Sequence, residues 1–176
     1  MSNQTPEAEA NIRNSYTRED ILKCGAGELG GIKYPRLPLP DMLMLDRITN
    51  ISDEGGRYGH GVVEAEFEVN AESWFFACHF KDDPVMPGSL AIDALCQLLG
   101  FYLGWKGFKG KGRALGIGKV KYKGEIVPSS GIVTYHLDIR KIVRSSIAVA
   151  IADGQVLVQG HVVHTAESMR VGIVPY

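Results

Sequence analysis

The 176-residue sequence has no long hydrophobic run and only three cysteines. No stretch approaches the ~18 consecutive apolar residues of a membrane-spanning helix. The first twenty residues are polar, with three Glu and one Asp, and lack the apolar segment of a secretory signal. Because Cys24, Cys78 and Cys96 show no CxxC spacing, they indicate free thiols rather than a disulfide framework or a zinc site. These absences predict a cytoplasmic protein that neither enters a membrane nor holds a metal.

The remaining composition is that of an ordinary globular domain. Hydrophobic residues make up 45% and charged residues 22% of the chain, which is enough apolar material for one buried core. We therefore expect a single domain over residues 1–176, in which the polar and aperiodic residues 1–14 form a loose arm.

The net charge of -1 hides a basic segment. Residues 106–146 contain 10 Lys and Arg against 2 Asp and Glu, whereas residues 1–105 contain 8 against 16. Such a segment is often a solvated face, but it can also dock nucleic acid or an acidic protein.

Strand patterns dominate the chain after residue 62. Hydrophobic residues alternate with Glu64, Glu66 and Glu68, which is the period of a strand with one buried face. Further strands are predicted over residues 114–122, 133–142, 147–152 and 155–165, with a hairpin turn at Asp153-Gly154. Consecutive strands with short links favour an antiparallel sheet.

Two helices are predicted outside this sheet. Thr17 and Asp20 resemble a capped helix start, and Gly25 is a natural stop. Residues 89–103 follow Pro87-Gly88 and are apolar on nearly every side, so we expect this helix to be enclosed. A buried helix in a curled antiparallel sheet is an α+β fold, since a parallel α/β sheet would need helices between its strands.

Ser89, Asp93 and Gln97 form one polar stripe on the apolar helix, because residues four apart share a helical face. A carboxylate in an apolar wall must be paired or neutral, and Gln97 lies one turn away to orient it by a hydrogen bond. Asp93 is either a satisfied core residue or part of a functional site, and the second interpretation is favoured.

His79 lies fourteen positions before Asp93, in an aromatic run. A neutral imidazole suits a general base, and a carboxyl group kept protonated by apolar walls suits a general acid. Gly88 begins the helix, where backbone N–H groups can stabilise an anion on a carbonyl oxygen. The three parts together indicate proton abstraction next to a carbonyl, without metal or nucleophile.

Competing sites are weaker. Cys78 and His79 would point to opposite faces of an extended chain, so we expect Cys78 to be a small buried residue rather than a nucleophile. His161 and His164 are three apart on a predicted strand, which places them on opposite faces and argues against a shared metal. The glycines after residue 106 match neither a Walker loop nor a dinucleotide fingerprint.

Three segments carry a specific resemblance: WFFACHFKDDPVMPGSLAIDALCQLLGFYLGW, GKGRALGIGKVKYKGEIVP and ADGQVLVQG. They closely resemble the bacterial 3-hydroxydecanoyl-[acyl carrier protein] dehydratases of type II fatty-acid synthesis. The resemblance runs from SYTREDIL near the start to MRVGI near the end. It implies the hotdog fold, in which an antiparallel sheet wraps a long helix, and it implies no cofactor.

The resemblance also implies roles for individual residues. His79 and Asp93 match the catalytic pair, while Gly88 and Cys78 match positions whose backbone N–H groups approach the thioester carbonyl. In the family the pair meets across a homodimer interface, so each site would use His79 of one chain and Asp93 of the other. Candidates for docking the acyl carrier protein are Arg140, Lys141, Arg144 and Arg170.

The implied activity is dehydration of (3R)-hydroxyacyl-[acyl carrier protein] to the trans-2-enoyl thioester, followed by isomerisation of the decenoyl chain to cis-3. The related dehydratases without isomerase activity carry Glu where this chain has Asp93, which favours the bifunctional branch. The sequence departs from the family at Ser89, where Cys is common, and at Ala91, where Gly is common. The alternatives are a hotdog acyl thioesterase and a non-catalytic acyl-chain-binding regulator.

Overall fold

A computed structural model describes residues 13–31 and 33–176, so most of the expected arm over residues 1–14 lies outside the described residues. The described residues form two α-helices, one short 3-10 helix and seven strands. In chain order they are α1 (Arg18–Ala26), β1 (Arg47–Ser52), β2 (Val62–Glu68), the 3-10 helix (Trp74–Ala77), α2 (Gly88–Trp105), β3 (Lys111–Gly116), β4 (Lys119–Tyr122), β5 (Ile132–Arg144), β6 (Ala148–Val158) and β7 (His161–Val174).

All strand pairs are antiparallel and form one sheet that does not close into a barrel. The strand order is β1-β2-β5-β6-β7-β3, and β4 also pairs with β7. The crossover from β2 to β5 carries α2, β3 and β4 before the sheet continues. The predicted α+β class with an antiparallel sheet is confirmed.

Helix α2 packs against the sheet along most of its width. Strands β2, β3, β5, β6 and β7 contact it, and Leu95, Leu98 and Leu99 have no exposed surface. Among the described residues, no helix is long and apolar enough to cross a bilayer. The apolar character of α2 is therefore satisfied by the sheet, which confirms the expected enclosure.

Helix α1 begins with the capping box that the sequence predicts. The Asp20 carboxylate accepts from the Thr17 N–H at 2.8 Å, and the Asp20 N–H donates to the Thr17 hydroxyl at 3.4 Å. The predicted stop at Gly25 is wrong. Gly25 is buried inside the helix, and the chain leaves at Gly27, whose φ of 81° favours glycine.

The predicted hairpin turn at Asp153-Gly154 is also wrong, since β6 continues through both residues. Asp153 is fixed there because its carboxylate accepts from the Arg140 guanidinium at 2.8 Å, the Tyr58 hydroxyl at 2.5 Å and the Ser168 N–H at 2.8 Å. Although burial opposes ionisation, these hydrogen bonds hold the pKa of Asp153 below its usual value. The chain instead turns after β6, where Gln159 and Gly160 both have positive φ.

Gly154 has a packing role that explains why glycine stands inside the strand. A Cβ at this position would lie 2.7 Å from Cδ1 of Leu95 on α2 and 3.1 Å from Sδ of Met169. Gly154→Ala is therefore expected to lower the free energy of unfolding by about 1–3 kcal/mol through overpacking. Urea unfolding of both chains measures this loss, and Gly116→Ala is the control, because a Cβ there meets nothing within 4 Å. An equal effect of the two substitutions would contradict the packing argument.

The strand predicted over residues 114–122 is divided in two. Strand β3 ends at Gly116 and β4 begins at Lys119, and both pair with β7. Beyond β3, no further strand of the described residues continues the sheet. Most β3 side chains are exposed, including Leu115 at 49%. This strand is an open edge of the sheet, and its residues line the same groove as Asp93 and Gln97 of α2.

Candidate functional site

The chain around His79 is a short helix followed by a tight turn rather than the extended segment that the sequence predicts. The 3-10 helix Trp74–Ala77 places the Phe75 carbonyl so that it accepts from the His79 N–H at 2.9 Å. The His79 carbonyl in turn accepts from the Val85 N–H at 2.8 Å. His79 is thus held at both backbone ends by neighbouring segments.

The imidazole of His79 has one defined partner. Its Nδ1 lies 2.8 Å from the Val85 carbonyl oxygen, and the ring stacks on Phe80 with centroids 4.0 Å apart. Because a carbonyl oxygen only accepts, Nδ1 must carry the hydrogen. In the neutral ring, Nε2 then keeps its lone pair, and no described residue donates to it. An imidazole held in this way can accept a proton at Nε2.

The carboxyl group of Asp93 is oriented by Gln97, one turn later on α2. The amide Nε2 of Gln97 donates to Oδ2 of Asp93 at 2.7 Å and to the Met42 carbonyl at 2.9 Å. The amide Oε1 accepts from the Met44 N–H at 3.1 Å. Gln97 is 8% exposed and uses both ends of its amide, so its orientation is fixed.

This network determines which oxygen of Asp93 can hold a proton. Oδ2 accepts from Gln97, so a protonated carboxyl group carries its hydrogen on Oδ1. Within the described chain, Oδ1 has no hydrogen-bond partner. Asp93 is half-buried, and Ser89, the first member of the predicted polar stripe, is exposed.

Asp93 lines a groove of about 180 Å³ between α2, the segment 35–38 and strand β3. The groove has apolar walls from Leu37, Phe101 and Val171, and Arg113 stands at the β3 side. Cys96 also faces it, and burial raises the pKa of this thiol to about 11. His79 is not among the lining residues of this groove.

Gly88 is the first residue of α2, as the sequence predicts. Pro87 supplies no side-chain cap, and the Gly88 N–H has no acceptor within the described residues. The Cys78 N–H, in contrast, donates to the Phe75 carbonyl at 3.3 Å. The Gly88 N–H is therefore unpaired within the described residues, whereas the Cys78 N–H has a long contact with the preceding 3-10 helix.

The three cysteines are free, as expected, but their burial differs. Cys24 is buried and Cys96 is half-buried, whereas Cys78 is exposed. The expectation of a buried Cys78 is wrong, because the chain there forms a turn after the 3-10 helix rather than a strand.

The prediction that His161 and His164 lie on opposite faces of the sheet is also wrong. Strand β7 bulges at Val163, so His161 and His164 pair with Val158 and Val156, which lie two residues apart on β6. The two histidines therefore share a side of the sheet, yet His161 is exposed and His164 is buried. Within residues 13–31 and 33–176, no cluster of three or more His, Cys, Asp or Glu side chains could hold a metal ion.

The four docking candidates have different surroundings. Arg140 is ion-paired with Asp153, and the Arg144 guanidinium lies 4.8 Å from the Phe108 ring centroid. Lys141 and Arg170 are exposed, and both pair with Ile151 of β6 in the sheet register, so they share one row of the outer face. The second pair is the more available for a partner.

Sequence reasoning missed the residues that hold the candidate pair in place. The Val85 carbonyl fixes the imidazole and Met42 and Met44 fix Gln97, but all three act through the backbone. Because residues of every type carry backbone polar groups, the sequence does not show which of them will form these hydrogen bonds. Arg113 could have been noticed, since it lies in the basic segment that adjoins β3.

Comparison with known proteins identifies the fold. The model of the FabA-like domain family matches residues 37–167. Among solved structures, the dehydratase heterocomplex ApeI:P from Xenorhabdus doucetiae is similar at a TM-score of 0.59 and 18% identity, over 77% of this chain and 86% of that chain. The mutant thioesterase PA1618 from Pseudomonas aeruginosa gives a TM-score of 0.53 and 14% identity, over 79% and 87%. These likenesses confirm the hotdog fold.

Proposed function

Since the chain belongs to the FabA-like domain family, we propose that it dehydrates 3-hydroxyacyl thioesters and isomerises the product. The observation that carries this proposal is that His79 and Asp93 each present one unpaired atom of the type that elimination requires. These are the lone pair on Nε2 of His79 and the oxygen Oδ1 of Asp93. The proposed substrate is a (3R)-hydroxyacyl chain on acyl carrier protein.

In the proposed dehydration, Nε2 of His79 takes the proton from C2 of the substrate. The C2–H electron pair forms the C2–C3 double bond, and the C3 hydroxyl leaves as water after accepting the proton from Oδ1 of Asp93. Negative charge that develops on the thioester oxygen is stabilised by the Gly88 N–H at the positive end of α2. The products are the trans-2-enoyl thioester and water, with no cofactor.

Isomerisation would use the same groups. A proton leaves C4 of the trans-2-enoyl chain, the double bond shifts to C3–C4, and a proton returns to C2. Gln97 supports both reactions because it occupies Oδ2 of Asp93 and leaves Oδ1 free to meet the substrate.

We also propose that the complete site forms between two copies of the chain. His79 does not line the Asp93 groove, and the groove is bordered by β3, an edge strand with exposed side chains on a sheet that ends there. An edge strand of this kind is a natural surface for pairing with a second strand. A second copy that covers β3 would also close the groove over an acyl chain.

The experiment that tests the proposed function is product analysis. The purified chain is incubated with 3-hydroxydecanoyl carrier protein, and the products are resolved by mass and by separation of the trans-2 and cis-3 isomers. Loss of one water supports dehydration, and the cis-3 isomer supports isomerisation. Free acid would instead show a thioesterase, and unchanged substrate that remains bound would show an acyl-chain-binding protein.

The carrier protein is proposed to dock on the outer-face row that contains Lys141 and Arg170. Exposed charges attract one another over a Debye length of only ~8 Å at physiological salt, and such attraction acts mainly on the encounter rate. Raising the salt concentration is therefore expected to lower kcat/KM for the carrier-protein substrate. A short uncharged thioester should show little change over the same range.

Substitution assigns this salt effect to particular residues. Lys141→Gln with Arg170→Gln should flatten the salt dependence for the carrier protein and leave the short substrate unaffected. Lys119→Gln is the matched control, because Lys119 is exposed but lies on β4, outside the row. Equal salt sensitivity of the two substrates would assign the basic segment to a solvated face.

A further inference from the structure

His164 is a buried imidazole that the proposed mechanism does not use. It lies on β7 with 3% of its surface exposed, and neither Nδ1 nor Nε2 has a hydrogen-bond partner within the described residues. Burial lowers the pKa of His164, so the ring is neutral near pH 7. A neutral imidazole always carries one N–H donor and one acceptor nitrogen. Both of these groups are unpaired here.

Packing alone does not explain this residue. Its neighbour in the sheet register is Val156 on β6, an aliphatic residue without exposed surface, and its neighbour on β4 is Tyr122, whose ring stands edge-on at 5.1 Å. An aromatic hydrocarbon would fill such a space without leaving polar atoms unpaired. Buried unpaired groups of this kind are more typical of functional sites than of cores.

His164 lies against the start of helix α2. A Cβ added to Gly88 would be 3.5 Å from Nε2 of His164, so this nitrogen borders the space beside the first residue of the helix. The Gly88 N–H has no acceptor within the described residues, and α2 is eighteen residues long, with the positive end of its dipole at Gly88. An unpaired backbone donor and an unpaired imidazole thus occur together at one helix end.

We propose that Nε2–H of His164 donates a hydrogen bond to the thioester carbonyl oxygen of the substrate, beside the Gly88 N–H. This assignment rests on the proposed function, and it adds a side-chain donor to a carbonyl-binding site that otherwise uses backbone. The Cys78 N–H already has an acceptor in the Phe75 carbonyl, which makes His164 the better second donor. A neutral imidazole suits this role because it donates without bringing a positive charge to the helix end.

Tyr122 controls access to this nitrogen. Its ring atoms lie 2.5 and 2.6 Å from the Cβ position of Gly88, so the ring occupies the space that a side chain at position 88 would need. Tyr122 is 58% exposed. In the proposed complex, rotation of this exposed side chain gives the ligand access to Nε2.

The kinetic test compares His164→Phe and His164→Gln with the exposed His161→Gln as control. Loss of one carbonyl-binding donor is expected to lower kcat/KM about 100-fold in His164→Phe. The glutamine amide should restore part of this loss, because it keeps a neutral donor. Thermal unfolding should show no decrease in Tm for His164→Phe, since the substitution removes two unpaired polar atoms. Unchanged kcat/KM in a folded His164→Phe chain would overturn the proposal.

A binding measurement keeps the proposal testable even if a variant fails to fold. The Asp93→Asn chain, labelled with ¹⁵N-histidine, is titrated with 3-hydroxydecanoyl-pantetheine, and the imidazole nitrogens are followed by NMR. The Nε2 signal of His164 should shift on binding, while His161 should not respond. Binding without a His164 shift would refute this inference alone, whereas absence of any binding would refute the proposed function as well.

Discussion

Replacing His79 by alanine is expected to lower turnover of 3-hydroxydecanoyl carrier protein by at least ~100-fold. The substitution removes the Nε2 lone pair that takes the C2 proton, and no other described imidazole has its Nδ1 fixed by a backbone carbonyl. The side chain is half-buried, and its ring contributes one stacking contact with Phe80, so the fold should persist. Steady-state kinetics of the variant measures the loss of turnover, and circular dichroism shows whether the fold persists.

Asp93→Asn should cause a loss of similar size. The asparagine amide keeps the shape of the carboxyl group and can still meet Gln97, but it has no acidic proton for the leaving hydroxyl. His161→Ala and Asp53→Asn are the controls, since His161 is exposed and Asp53 forms an ion pair with Lys106 outside the groove. A folded variant of His79 or Asp93 with near-native turnover would remove that residue from the mechanism.

Mixing the two inactive chains is expected to restore activity. If each site combines His79 of one copy with Asp93 of the other, a mixed dimer contains one site with both groups intact and one with neither. Random exchange of equal amounts gives mixed dimers in half of the population, so about a quarter of the wild-type activity should return. Activity is measured before and after subunit exchange.

This result has a direct control. Each inactive chain is taken through the same exchange with itself, where no activity should appear. Exchange is verified with differently tagged chains, so that failure to mix is recognised. Verified exchange without recovered activity would contradict a site shared between copies. It would instead place His79 and Asp93 of the same chain in one site.

The sequence predicted those elements whose cause lies within a few neighbouring residues. The capping box of Thr17 and Asp20 depends on two side chains three positions apart, and the enclosure of α2 follows from apolar residues on nearly every side. The hydrogen bond between Gln97 and Asp93 is of the same kind, because one helical turn brings the two side chains together. Their catalytic roles stay a prediction.

The wrong expectations concern residues whose conformation is decided by distant contacts. Asp153-Gly154 has the local signature of a turn, but Arg140 and Tyr58 hold the aspartate, and a leucine of α2 packs against Gly154, so the strand continues through both residues. The bulge at Val163 reverses the side-chain alternation of β7, and the residue type at that position does not predict a bulge. Long-range contacts therefore overrode turn propensity at Asp153-Gly154, and a bulge interrupted the alternation of β7.

 The leucine that packs against Gly154 is Leu95 of α2, whose Cδ1 would lie 2.7 Å from a Cβ at that position. Leu95 is 59 residues earlier in the sequence than Gly154, so no local window around the Asp-Gly pair contains it. The continuity of β6 is a property of the assembled core, and for that reason turn chemistry alone mispredicts it.

The crossover from β2 to β5 also determines the order in which the molecule can assemble. Val62 pairs with Asp138 and Glu68 with Ile132, so β2 acquires its second neighbour only after the whole of α2, β3 and β4 has been made. Until β5, β6 and β7 follow, the apolar helix α2 lacks three of the strands that cover it. Non-local pairing of this kind slows folding and prolongs the exposure of apolar surface. During synthesis, the helix that carries Asp93 is therefore a segment for chaperones to protect.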